Sequence, residues 1–201
     1  MKDIEPQIEQ HPWPPFIHQG ARVLMLGTFP PKPERWSMPF FYPNKSNDFW
    51  KIMGYLFYGD SDHFWLVKGK QFDQARIEQF LKEQHIALWD TAMKVRRLKD
   101  NASDKFLEIV EQIDLQSLLA QYPTVKAVVT TGEKATGVVA GIAGVEPPAM
   151  GHSVEASVGE YSFTLYRMPS TSRAYPLALE RKAQYYREML LNEQLLISQS
   201  H

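Results

Sequence analysis

Four short segments along the chain read as strands, and each closes on a polar or glycine-containing turn. The first, RVLML at 22–26, stops at Gly27. A continuous apolar run bounded by a sharp turn fits a strand buried on both faces. HIALW at 85–89 closes on Asp90 and Thr91, VKAVV at 125–129 on Thr130, Thr131 and Gly132, and YSFTLYRM at 161–168 on a tight polar loop at 169–174. Between these runs the periodicity changes. In DFWKIMGYLFY, residues 48–58, Phe49, Ile52, Met53, Leu56 and Phe57 fall at helical steps, with Asn47 or Asp48 at the capping position. Further helices are predicted over 74–83, 106–121, 133–143 and 177–197. Residues 1–20, rich in Pro, Gln and His, read as an extended arm on the surface or against the sheet edge, with no chemistry assigned to it.

Strands alternating with helices predict a parallel sheet with right-handed crossovers. The expected fold is therefore α/β, a three-layer α/β/α arrangement around a central four-stranded parallel sheet, in one domain spanning residues 1–201. In open sheets of this kind a ligand sits beyond the carboxyl ends of the strands. The four predicted ends carry GTFPP, DTA, TTGEK and PSTSRA, which gathers polar chemistry at one sheet edge. Residues 28–47 hold five prolines, several aromatics and no helical period. Ordered loops of that length are usually functional.

Composition narrows the class. Hydrophobic residues make up 44% and charged residues 22% of the chain, as in an ordinary globular domain, and no run of eighteen apolar residues is available to span a bilayer. The first thirty residues lack the basic start and apolar centre of a secretory signal, and there is no cysteine for disulfides or cysteine-based metal sites. A reducing, cytoplasmic location is expected. The six histidines show no metal-ligand spacing. A net charge of -1 argues mildly against nucleic acid as a partner, so local patches matter more than the total. Lys94, Arg96, Arg97 and Lys99 form the densest one, which is either a binding surface or a solvated face.

Four segments in order, LGTFPP at 26–31, FFYPNKSNDFWKIM at 40–53, ALWDTA at 87–92 and MPSTSRA at 168–174, resemble the motifs of the uracil-DNA glycosylase superfamily. The likeness is closest to its hypoxanthine-DNA glycosylase branch. The resemblance implies the uracil-DNA glycosylase-like form of the fold above. It also implies a monofunctional DNA glycosylase of base excision repair, which flips a deaminated base (uracil, hypoxanthine or xanthine) into a pocket and hydrolyses its glycosidic bond with an activated water. The implied partner is DNA carrying a damaged base, bound by a monomer without metal, cofactor or membrane.

Residue by residue, the resemblance makes Asn47 the first choice for catalysis, since an amide orients water or binds a base without charge; the competing duty is helix capping. Asp90 falls where related branches hold the carboxylate or amide that meets the flipped base, and its alternative is to cap the turn after its strand. Gly27, Thr28 and Thr131 would line the base pocket. Phe29, Phe40, Phe41 and Tyr42 are candidate platforms for its face, or ordinary packing residues. Ser170, Thr171, Ser172 and Arg173 match the loop that grips the phosphate backbone, with Arg173 and Tyr175 as candidate wedges; an ordinary turn is the alternative.

Three departures bear on substrate. Phe29 stands where uracil-selective branches place Asp or Asn, Met168 where the most efficient uracil enzymes place His, and Pro31 where a second glycine is usual. Two other functions fit the same sheet edge: an enzyme acting on a free nucleobase or nucleotide, and a DNA-binding homologue without catalysis.

Overall fold

The computed structural model describes residues 6–99 and 103–197. Its centre is a five-stranded sheet in the order β5 (Ile86–Asp90), β2 (Val23–Gly27), β8 (Ala127–Thr131), β10 (Tyr161–Met168) and β9 (Ser153–Val158), while β3 (Trp65–Leu66) and β4 (Gln71–Phe72) pair in a small sheet of their own. The first four of these, β5, β2, β8 and β10, are parallel and correspond to the four predicted strands. The fifth, β9, adds antiparallel to β10 at one edge and was not expected. Its sequence, SVEASV, carries no apolar run to announce it.

Every residue of β2, β5 and β8 is buried, which demands cover on both faces of the sheet. Helices α1 (Phe49–Tyr58) and α2 (Gln74–Glu83) join β2 to β5, while α4 (Glu133–Ala143) joins β8 to β10. Right-handed crossovers running in opposite directions along the sheet put these two groups on opposite faces. The last helix, α5 (Leu179–Asn192), packs on α1 and β10. The expected three-layer α/β/α architecture is therefore the observed one.

The prediction of one helix over 106–121 is corrected. A 3-10 turn at Asp104–Phe106 leads into strand β7 (Leu107–Gln112), and only α3 (Leu115–Gln121) is helical. Leu107 and Ile109 alternate with exposed Glu108 and Val110, the period of a half-buried strand. Asp114 then accepts from the Ser117 amide and starts a new helix. β7 pairs with β6 (Ala92–Arg97), and β6 with β1 (Ile8–Gln10), in a second, antiparallel sheet. Ala92, Val95 and Leu107 form its small apolar core, with Phe29 packed against it. Within residues 6–20, β1 extends this second sheet, and Phe16 bridges to Leu88 on the edge of the first.

The dense basic patch lies mostly on β6 and is largely neutralised there. Lys94 pairs with Glu111, Arg96 with Glu108 and Arg97 with Glu9. No helix of the described residues is long and apolar enough to cross a membrane.

Candidate functional site

Parallel register aligns the strand ends. Gly27 faces Asp90, Leu26 faces Thr130, and Thr131 faces Met168. Beyond them opens a cleft of about 1090 Å³. Gly27, Thr28, Phe29, Tyr42, Asn47, Asp90, Thr131, Ser170, Thr171, Ser172, Arg173 and Tyr175 all line it, so twelve of the fourteen residues singled out from sequence converge on one recess.

The other two, Phe40 and Phe41, do not line it. Phe40 packs edge-on against Phe16, and Phe41, 2% exposed, lies in the core with its carbonyl accepting from the Trp50 indole. Tyr42 is the ring of this trio that reaches the cleft. Its φ of 51° turns the backbone into the left-handed region, which a bulky residue occupies only when its surroundings hold it there. The ring stacks on Phe49 at 3.9 Å, and its hydroxyl lies 2.9 Å from that of Thr131. Burial, reinforced by the charge of Asp90, holds the phenol far above its ordinary pKa, so it stays neutral and available as a hydrogen-bonding group.

Asp90 ends β5 with its carboxylate almost fully buried. Oδ2 lies 2.7 Å from His11 Nε2. The turn that follows is held by Thr91, whose amide and hydroxyl both donate to the Gly27 carbonyl, so Asp90 is not its cap. Gly27 is required by proximity: a Cβ there would sit 2.7 Å from Asp90 Oδ1 and 3.3 Å from the Tyr42 hydroxyl. Asn47 performs the capping duty with one end of its amide, Oδ1 accepting from the Phe49 amide at 2.9 Å. Its NH2 group remains for the cleft. Thr130, by contrast, is structural: its hydroxyl donates to the Tyr166 carbonyl and meets that of Thr136.

The loop after β10 is braced from below. The buried Lys182 on α5 donates to Asp48 Oδ2 at 2.8 Å and to the Ser172 carbonyl at 2.9 Å, and the Asp48 amide donates to the Thr171 carbonyl. Asp48 stands at the N-terminal cap position of α1, but its side chain makes no capping bond and instead clamps two loops together. Ser170 Oγ accepts from the Ser172 amide, and Ser172 Oγ from the Ala174 amide. Both hydroxyls keep their protons for an outside acceptor. Arg173 is exposed at the rim, as are Arg35 and Lys105, whereas Tyr175 is tied to the Met150 sulfur.

Sequence reasoning missed three contributors. His11 and Trp13 arrive from the arm, where nothing local marks them. Asp104 comes from the turn before β7, just ahead of the predicted helix over 106–121. Burial raises the Asp104 carboxyl above its ordinary pKa; the Thr28 hydroxyl opposes this, the Asp90 charge adds to it, and Lys134 and Arg97 oppose it. That Thr28 hydroxyl is buried and close enough to act on Asp104, yet it completes no hydrogen bond within good geometry. Lys134, near the start of α4, donates to the carbonyls of Asp104 and Leu107 and holds this segment at the cleft. Among the described residues no group of three or more His, Asp or Glu is placed to hold a metal ion.

No family profile matches the chain, and no curated protein matches it. Among solved structures, it is similar to the solution NMR structure of a candidate uracil DNA glycosylase from Methanosarcina acetivorans. The identity is 20%, the match covers 91% of this chain and 99% of that one, and the TM-score is 0.59. At that identity the likeness is one of fold, and the chain has a uracil-DNA glycosylase-like α/β fold.

Proposed function

We propose that the chain is a monofunctional DNA glycosylase that removes a deaminated base from DNA. The observation that carries this reading is the convergence of Asn47 and Asp90 on one cleft whose rim is the Ser170–Arg173 loop. A heterocycle and its sugar-phosphate need those two surfaces side by side: polar groups for the base and water, small hydroxyls and exposed cations for the backbone. The fold likeness and the four motifs support the same reading.

In this reading an extruded base enters beside Tyr42 and Thr131, and the Asn47 NH2 group binds it or orients water. The C1′–N bond breaks toward an oxocarbenium-like sugar, and the electron pair leaves with the base. Asp90 stabilises the positive sugar and positions the water whose oxygen adds to C1′; one water proton ends on the departed base. Ser170, Ser172 and Arg173 hold the flanking phosphates. Uracil, hypoxanthine and xanthine are the proposed substrates. The motif likeness favours the hypoxanthine branch, as does Phe29, an apolar side chain where uracil-selective enzymes carry a polar one.

A panel of duplexes bearing single uracil, hypoxanthine or xanthine tests the proposal. At least one should yield alkali-labile abasic sites, and intact strands throughout would reject it. Asn47→Ala should slow base release far more than it weakens duplex binding. The ion pairing of β6 favours one rival, an enzyme acting on free nucleobases or nucleotides, because it leaves fewer cations for phosphates. Duplex affinity that does not fall with added salt would select that rival.

A further inference from the structure

The carboxylate at the end of β5 is met from behind by a side chain that belongs to neither the strand ends nor their loops. His11 Nε2 lies 2.7 Å from Asp90 Oδ2, with the two side chains only 4% and 9% exposed. Oxygens this deeply placed need hydrogen-bond donors, and the His11 ring lies within bonding distance of one of them. The imidazole itself is held on all sides. Its ring packs against Trp89 at 4.3 Å and edge-on to Phe29 at 5.5 Å.

Nδ1 lies 2.8 Å from the Trp13 carbonyl and 3.2 Å from the Trp13 amide nitrogen. A carboxylate oxygen only accepts, so opposite it Nε2 carries the proton; Nδ1 then accepts from the Trp13 amide in a neutral ring or donates to the Trp13 carbonyl in a charged one. The backbone fixes the approach. Gln10 pairs with Lys94 in the β1–β6 ladder, the His11 amide donates to the Met93 carbonyl at 2.8 Å, and Pro12 restricts residue 11 to extended conformations.

We propose that His11 is a positioning residue for Asp90, which makes the N-terminal arm a working part of the site. With Oδ2 occupied by His11, Oδ1 is the oxygen left above Gly27 at the cleft floor, and the carboxylate plane is set before any substrate enters. The hydrogen bond stands apart from the reaction; its kinetic consequence rests on the glycosylase reading.

Two variants and one spectrum test it. His11→Phe keeps ring packing and removes the donor, while His11→Gln keeps a donor in a flexible chain. Loss of carboxylate alignment should slow single-turnover base release by His11→Phe about 10²-fold with duplex affinity unchanged, and His11→Gln should recover part of that rate. Equal rates for His11→Phe and wild type overturn the proposal, as does an equal loss in both variants when both melt like wild type. The 15N-imidazole spectrum of the full chain reads the bond without any activity. A protected Nε2 proton that shifts in Asp90→Asn is expected, and its absence, or its insensitivity to that substitution, overturns the proposal. If wild type releases no base but shows that proton, the glycosylase reading fails alone.

Discussion

Replacing Gly27 by alanine probes how finely the cleft floor is set. Gly27 does not have a left-handed backbone, so alanine is conformationally allowed and the perturbation is steric. The added methyl would sit 2.7 Å from Asp90 Oδ1, where ordinary contact begins near 3.4 Å. Asp90 must therefore retreat by about 0.7 Å, a displacement of the size that costs on the order of 10² in rate when it falls on a reacting group. It has little room, because Oδ2 is held by His11 at 2.7 Å and the adjoining backbone is bonded to Gly27 itself.

Overpacking of a filled site costs about 1–3 kcal/mol in stability. The lower chain entropy of alanine in the unfolded state returns about 0.4–1 kcal/mol, which leaves a net loss of roughly 1–2 kcal/mol. A chain of this size then melts only a few degrees lower, about 2–4 °C per kcal/mol, and is fully folded at 25 °C. The prediction is a large loss in single-turnover base release beside a small loss in urea stability. Unchanged release by a folded Gly27→Ala protein would refute the argument that Asp90 placement limits the reaction.

Three further outcomes follow from the same geometry. Lys182→Met should destabilise by about 3 kcal/mol, since it strands Asp48 and the Ser172 carbonyl, and adding Asp48→Asn should return part of that in urea titrations. Strictly additive losses would count against the clamp. Asp104 has a raised pKa, so the folded state holds its proton more tightly than the unfolded chain. That contribution is complete below the unfolded value near 3.8 and lost as pH rises through the higher folded value. The stability of wild type relative to Asp104→Asn should therefore fall between acidic and neutral pH in paired melts, and parallel curves would contradict it. Phe41→Ala should cost about 3–5 kcal/mol as a core truncation, whereas Tyr42→Phe should cost about 1 kcal/mol, the worth of one hydroxyl bond; the reverse order in denaturant would put the wrong ring in the core.

Strands β2, β5 and β8 were legible because each is buried on both faces and therefore written as a short, almost wholly apolar run. Their parallel register then carried the site with it: residues that close such runs, Gly27, Asp90 and Thr131, had to become neighbours. Other features depend on long-range partners. Whether Phe40, Phe41 or Tyr42 faces the cleft is decided by one left-handed backbone turn at Tyr42, which no local pattern specifies. β7 hid inside a helix prediction because Leu107, Leu115 and Leu119 also satisfy a helical spacing, and only its pairing with β6 selects the strand. His11 reaches Asp90 across 79 positions, through a strand of three residues whose partner had been read as a charge patch.

Protein synthesis gives the clamp beneath the Ser170–Arg173 loop a further meaning. Asp48 leaves the ribosome 134 positions ahead of Lys182, an interval on the order of ten seconds at ordinary elongation rates. Throughout that time the proline-rich loop lacks the ammonium that fastens it. A growing polypeptide consequently carries the Ser170–Arg173 loop without its brace, and the two loops are fastened together only when α5 docks.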